Sequence, residues 1–185
     1  MQGSLAKAVF LTIDSASKSG VALSEPEIDD RGVVRGYSSP SYAEVSSQKE
    51  RHQWVRDAVR AAIECKLPLV IVGEQWTAGM SYSSYVTLVE SWGMWRAAIE
   101  YEGAHRTAHI VRVHHQTWRA AVFGKRRPKD RASLKKFAIE YIHQKLGEPR
   151  CLSDNIAEAL CLRVWAARAD EVHELLAPKK RRKAA

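Results

Sequence analysis

Two periodicities divide this chain. Ala8-Val-Phe-Leu-Thr-Ile-Asp14 is a short apolar run that closes on an acid, the pattern of a buried strand. Gly20-Val-Ala-Leu23 reads as its hairpin partner, and Gly32-Val-Val-Arg-Gly-Tyr37 as a third, antiparallel strand. From about Tyr42 to Lys66 the spacing changes: Val45, Trp54, Val55, Ala58, Val59, Ala62 and Ile63 fall on one face of a helix. Pro68 ends it, and Leu69-Val-Ile-Val-Gly-Glu74 is a fourth strand that again closes on an acid. Val86, Leu88, Val89, Trp92, Trp95 and Ile99 predict a second helix over 84–101, followed by a fifth strand over 106–113. Thr117 to Phe123 is a short helical piece closed by Gly124. A loop with Pro128 leads to a helix over 132–146, stopped by Gly147 and Pro149. Ser153 or Asp154 caps a last helix running to about Ala169, with 170–176 as its continuation. Strands in a meander, then strands alternating with helices, give an α/β chain with a mixed five-stranded sheet flanked by helices.

The 185 residues suit one domain over 1–176, with 177–185 as a basic, disordered tail. No apolar run approaches the ~20 residues of a membrane helix, and the first residues lack an apolar signal core. Cys65, Cys151 and Cys161 form no CxxC pair, which argues for a reducing compartment and against a zinc site or disulfide framework. Charge changes the picture more. The net charge is +8, and the excess sits in two places. Arg119, Lys125, Arg126, Arg127, Lys129, Arg131, Lys135 and Lys136 face a single acid, Asp130, within 119–136, and Lys179 to Lys183 are all basic. The rest of the chain is net acidic. A basic strip on an acidic body is the layout of a protein that grips phosphates beside an acidic site.

The acids are placed for chemistry. If the first and fourth strands are neighbours, Asp14 and Glu74 emerge at one edge of the sheet. Asp154, Asn155 and Glu158 open the last helix, where residues three or four apart share a face. Such a set of hard oxygen ligands, without a His or Cys pattern, suits magnesium or manganese. Two such ions ~4 Å apart support the attacking and leaving oxygens of phosphodiester hydrolysis. Each acid also has a plainer reading as a turn former or helix cap.

Four segments, in order, resemble the RuvC-type Holliday junction resolvases of phage or bacterial kind, within the ribonuclease H-like nucleases. Leu11-Thr-Ile-Asp14-Ser-Ala-Ser-Lys-Ser-Gly-Val21 is similar to the family's first strand and turn, and Val70-Ile-Val-Gly-Glu74-Gln75 to its second catalytic strand. Gln116-Thr-Trp-Arg-Ala-Ala-Val-Phe-Gly124, with Lys135-Lys136 beyond it, is similar to the phosphate-binding segment. Asp154-Asn-Ile-Ala-Glu-Ala-Leu160 is similar to the family's acidic helix start. The resemblance spans about 8–169. It implies a ribonuclease H-like sheet and an endodeoxyribonuclease that resolves four-way junctions by paired symmetric nicks, leaving 5′-phosphate ends. It also implies two Mg2+ (or Mn2+) ions on Asp14, Glu74, Asp154 and Glu158, and a homodimer that uses the second helix. The pattern departs at Glu158, where Asp is usual, and at Asn155, where many members carry Asp or His. The fourth ligand is Asp154 or Asn155, and a carboxylate holds a divalent ion better than an amide.

The DNA-facing candidates are Lys18, Trp76, Arg119, Lys125, Arg126, Arg127, Lys129, Lys135 and Lys136. Lys18, Arg119 and Lys135 or Lys136 stand nearest the expected scissile phosphate, whereas Trp76 either stacks on an unpaired base or packs under its loop. Adjacent His114 and His115 on a strand end point to opposite faces and are poor chelators of one ion. His143 reads as a surface residue, and Trp92 and Trp95 as core. A cytoplasmic location in a bacterial or phage-infected cell is expected; the basic tail also looks like a nuclear import signal, a minor alternative because basic tails serve nucleic-acid binding just as readily. Two other functions remain: a same-fold nuclease for forks, flaps or RNA–DNA hybrids, and a non-catalytic binder of branched DNA.

Overall fold

The computed structural model describes residues 5–16, 18–75, 81–124, 128, 130–146 and 153–177. Its sheet is built from β1 (Val9–Asp14), β2 (Ser19–Ser24), β5 (Ser41–Val45), β6 (Leu69–Gln75) and β7 (Ala108–His114), in the order β5-β2-β1-β6-β7. The β1–β2 and β2–β5 pairs are antiparallel, and β1–β6 and β6–β7 are parallel. Helices α1 (Gln48–Cys65) and α2 (Tyr82–Tyr101) supply one buried cluster with the sheet. Helices α3 (His115–Phe123), α4 (Arg131–Leu146), α5 (Asp154–Ala166) and α6 (Asp170–Leu176) supply the other. Among the described residues no helix is long and apolar enough to cross a membrane.

The expected mixed five-stranded sheet is present, but its third antiparallel strand is a different segment. Val34–Tyr37 (β4) pairs instead with Pro26–Ile28 (β3) in a separate two-stranded ribbon. Proline lacks the N–H that a central ladder needs. Asp29 also turns the chain back, its Oδ1 accepting from the Arg31 and Val33 amides at 3.0 and 2.9 Å. The segment 41–45, expected as the start of a helix, is the edge strand, and α1 begins only at Gln48. Ser47 and Glu50 form a reciprocal capping box there, which fixes the boundary. The last helix also stops sooner than expected: α5 closes at Ala166, and α6 is a separate helix of about two turns rather than its continuation. Ser153, not Asp154, caps α5, its hydroxyl accepting from the Ile156 amide. That leaves Asp154 inside the first turn. The stop at Gly147 and Pro149, Cys151, and the tail beyond Ala177 lie outside the described residues.

Strand alternation determines what faces the second layer. Val9, Leu11 and Ile13 point into the α1–α2 cluster, whereas Ala8 and Phe10 point into the α3–α6 cluster. Period two therefore puts Thr12 and Asp14 on the α5 side, and Thr12 donates to the Ala159 carbonyl of α5 at 2.8 Å. Along β6 the same count puts Val70, Val72 and Glu74 on that side. The start of α5 lies directly on β2: a Cβ on Gly20 would stand 1.9 Å from the Asn155 carbonyl oxygen. Only glycine permits that approach. Gly20→Ala should force α5 away from the sheet, with a loss of about 2–3 kcal/mol in urea unfolding. An unchanged midpoint would contradict this packing.

Candidate active site

The β1–β6 register aligns Ile13 with Gly73, so the next residues, Asp14 at the end of β1 and Glu74 one residue before the end of β6, stand side by side. Glu158, one turn into α5, reaches the same place from above. One carboxylate oxygen from each of Asp14, Glu74 and Glu158 lies within 4.8 Å of the other two. Asp14 and Glu158 are buried and Glu74 is half-buried. Burial, then the negative charges of Glu158 and Glu74, hold the Asp14 carboxyl well above the usual carboxylate range. Burial likewise pushes Glu158 up to about 7, against the downward pull of Arg119.

Helix α3 answers this negative charge. The Arg119 guanidinium lies 2.5 Å from Glu158 Oε1 and 3.9 Å from Glu74 Oε1. Its Nε has no hydrogen-bond partner among the described residues. The preceding residue, Trp118, is fully buried and donates its indole N–H to Glu74 Oε1 at 2.7 Å. The main chain of Glu74 is held as well. Arg112 donates to its carbonyl through Nε at 2.8 Å and again through Nη2. The Arg112 guanidinium lies 3.9 Å from the centre of the Trp92 ring, and that ring occupies the space a Cβ on Gly73 would need. Trp92 is therefore half-buried beneath an arginine, while Trp95 is fully buried as expected.

Asp154 lies one turn before Glu158, outside the group of three, with Lys135 Nζ donating to its Oδ2. Its charge still adds to the repulsion on Asp14. Asn155 uses its amide elsewhere, donating to the Lys18 carbonyl at 2.9 Å and to Glu44 Oε1 at 3.1 Å, which ties α5 to the β2–β5 edge. Lys18 and Lys136 are exposed and Lys135 is half-buried. Trp76, Lys125, Arg126, Arg127 and Lys129 lie outside the described residues. The two histidines do not diverge as expected. The chain passes from β7 into α3 between them, so their rings stack with centroids 4.6 Å apart. His143 is half-buried rather than at the surface.

The donor set suits a hard divalent cation. Three carboxylates converge without imidazole or thiolate, and a guanidinium lies between two of them. No family model matches the sequence, and no curated protein does either. The structural likeness is clear. A structure of Thermus thermophilus RuvC is similar over 89% of this chain and 96% of its own, with 13% identity and a TM-score of 0.57. T. thermophilus RuvC in complex with a Holliday junction substrate is similar over 91% of this chain and 96% of its own, with 11% identity and a TM-score of 0.54. The fold is of the RuvC type. Within that ribonuclease H-like frame, Asp14, Glu74 and Glu158 converge at the carboxyl ends of two neighbouring parallel strands.

Sequence reasoning missed Trp118 and Arg112. Their partners lie 44 and 38 residues away, and the only local signal was a tryptophan directly before a candidate phosphate-binding arginine.

Raised carboxyl values make stability depend on pH. The native state holds these protons more tightly than the unfolded chain, so their contribution is complete below ~4 and is lost as pH rises through the folded-state values. For Glu158, from its ordinary range to about 7, the loss is on the order of 3 kcal/mol. In chelator, melting should fall by several degrees between pH 5.5 and pH 8. Asp14→Asn should raise melting at pH 8 and abolish stabilisation by added Mg2+. A flat profile, or Mg2+ stabilisation retained in the variant, would contradict the like-charge cluster.

Proposed function

We propose that this protein is a divalent-metal-dependent endodeoxyribonuclease that resolves four-way DNA junctions by paired symmetric nicks. The observation that carries the reading is the convergence of Asp14, Glu74 and Glu158 within a RuvC-type fold. The junction-bound form of the T. thermophilus protein supports branched DNA as the substrate class.

Asp14, Glu74 and Glu158 would hold the cations, two Mg2+ with Mn2+ as a substitute. Asp154 would be the fourth ligand once Lys135 leaves it; Asn155 is committed to Lys18 and Glu44. Bound, such ions lower the pKa of a water and neutralise charge on the phosphate under attack. The chain's own groups do the rest. Arg119, now paired with Glu158, would turn to a phosphate oxygen once displaced, where a cation offsets the charge that develops as water adds to phosphorus. The bond to the 3′ oxygen breaks, leaving a 3′-hydroxyl and a 5′-phosphate. Lys135, freed from Asp154, and the exposed Lys18 and Lys136 hold flanking phosphates, joined by Lys125, Arg126, Arg127 and Lys129, with Trp76 stacking on an unpaired base at the junction centre. A junction with two equivalent strands calls for two sites, hence a two-fold homodimer. Tyr82, Tyr85 and Val89, exposed by 83, 41 and 36% on one face of α2, support that helix as the contact.

The deciding experiment offers labelled four-way junction, Y-fork, linear duplex and RNA–DNA hybrid to the wild type and to Asp14→Asn, in Mg2+, Mn2+ or chelator. Metal-dependent symmetric nicks in the junction, lost in the variant, are expected. Cutting chiefly of forks or hybrids, or binding without cutting, would overturn the assignment. Arg119→Ala should lower the cleavage rate by about a hundredfold or more while leaving junction affinity within a few-fold. Single-turnover rates at saturating enzyme check this, and an equal loss in affinity would make Arg119 a plain binding contact.

A further inference from the structure

Glu74 is the least buried of the three clustered acids, and a glutamate has three rotatable side-chain bonds. An unrestrained glutamate at a strand end would sample many carboxylate positions, and each position lost on binding a cation weakens that binding. This carboxylate is not unrestrained. Trp118 stands on α3 with its ring fully buried, packed edge-on against Phe123 with centroids 5.7 Å apart. Neither its position nor its tilt can vary without opening the cluster that joins α3, α4 and α5 to the sheet. From that fixed ring a single N–H reaches Glu74 Oε1 at 2.7 Å. An indole has one donor and no acceptor, so this bond can be made only to an oxygen and in one direction.

We infer that Trp118 is a positioning residue for the metal-binding carboxylate Glu74: its buried indole N–H holds Oε1 and thereby sets the direction in which the carboxylate meets a cation. The inference rests on the metal-dependent reading above, and it adds a residue that acts through Glu74. A ligand oriented by an outer hydrogen bond typically loses 10- to 100-fold in metal affinity when that bond is removed. A residue that only fills the core would instead lower stability and leave the affinity of the folded protein alone.

The test uses the full chain. Trp118→Phe keeps an aromatic ring in the core and deletes the N–H. Mn2+ titration by calorimetry at a temperature where the variant is folded should show affinity at least tenfold weaker than wild type. The junction cleavage rate should fall with little change in KM. Unchanged Mn2+ affinity in the folded variant would overturn the proposal. A second measurement needs no folded Trp118 variant. In 15N-tryptophan-labelled wild type, the Trp118 indole resonance, assigned through its contacts with Phe123, should move on Mn2+-free addition of Mg2+. It should also differ in Glu74→Gln without any metal. A resonance indifferent to both changes would overturn the proposal. If wild type binds no Mn2+ but the indole resonance still responds to Glu74→Gln, the metal-dependent reading fails while the hydrogen bond to Glu74 stands.

Discussion

Three carboxylates share a space less than 5 Å across at the end of a sheet, and they are held there against both mutual repulsion and the loss of water. The surrounding structure answers that repulsion. Arg119 supplies positive charge between Glu158 and Glu74, and Lys135 supplies it to Asp154. Trp118 and Arg112 fix Glu74 by its side chain and its main chain. Such a cluster is costly for stability alone, because a neutral side chain at any one position would relieve it. Its retention by the fold makes sense if a cation of higher charge than an arginine takes the central place.

The means of assembly are backbone devices. Parallel pairing of β1 and β6 puts Asp14 beside Glu74, and the Gly20 contact with Asn155 allows the start of α5 to lie on β2. Thr12 then ties β1 to Ala159, one residue after Glu158. Each contact joins segments far apart in sequence, so the site forms only when the sheet and α5 are both in place. On the opposite face, the Arg112–Trp92 stack over Gly73 steadies the end of β6 from behind.

Much of this was legible in the chain. A period of two along Val9–Asp14 and Leu69–Glu74 is enough to send both terminal acids toward one layer, and Glu158 follows from its place one turn into a capped helix. The edge strand Ser41–Val45 was hidden because its apolar residues also continue the helical spacing of α1. The Ser47-x-x-Glu50 capping box carried the boundary information, yet the hydrophobic pattern ran through it. The β3–β4 ribbon took over a segment whose alternation fits a sheet strand equally well, since alternation says nothing about which partner a strand finds. Trp118 stood within the segment similar to a phosphate-binding stretch, where the neighbouring Arg119 carried the reading and the indole had no role in it. Its role is set by an acid on another strand, and no local pattern encodes that meeting.

The most direct test is to grow crystals of the full chain with Mn2+ and locate the ion by its anomalous scattering. The account predicts manganese among Asp14, Glu74 and Glu158, with the Arg119 guanidinium moved off Glu158. Manganese absent from that place at saturating concentration, with Arg119 still against Glu158, would contradict it.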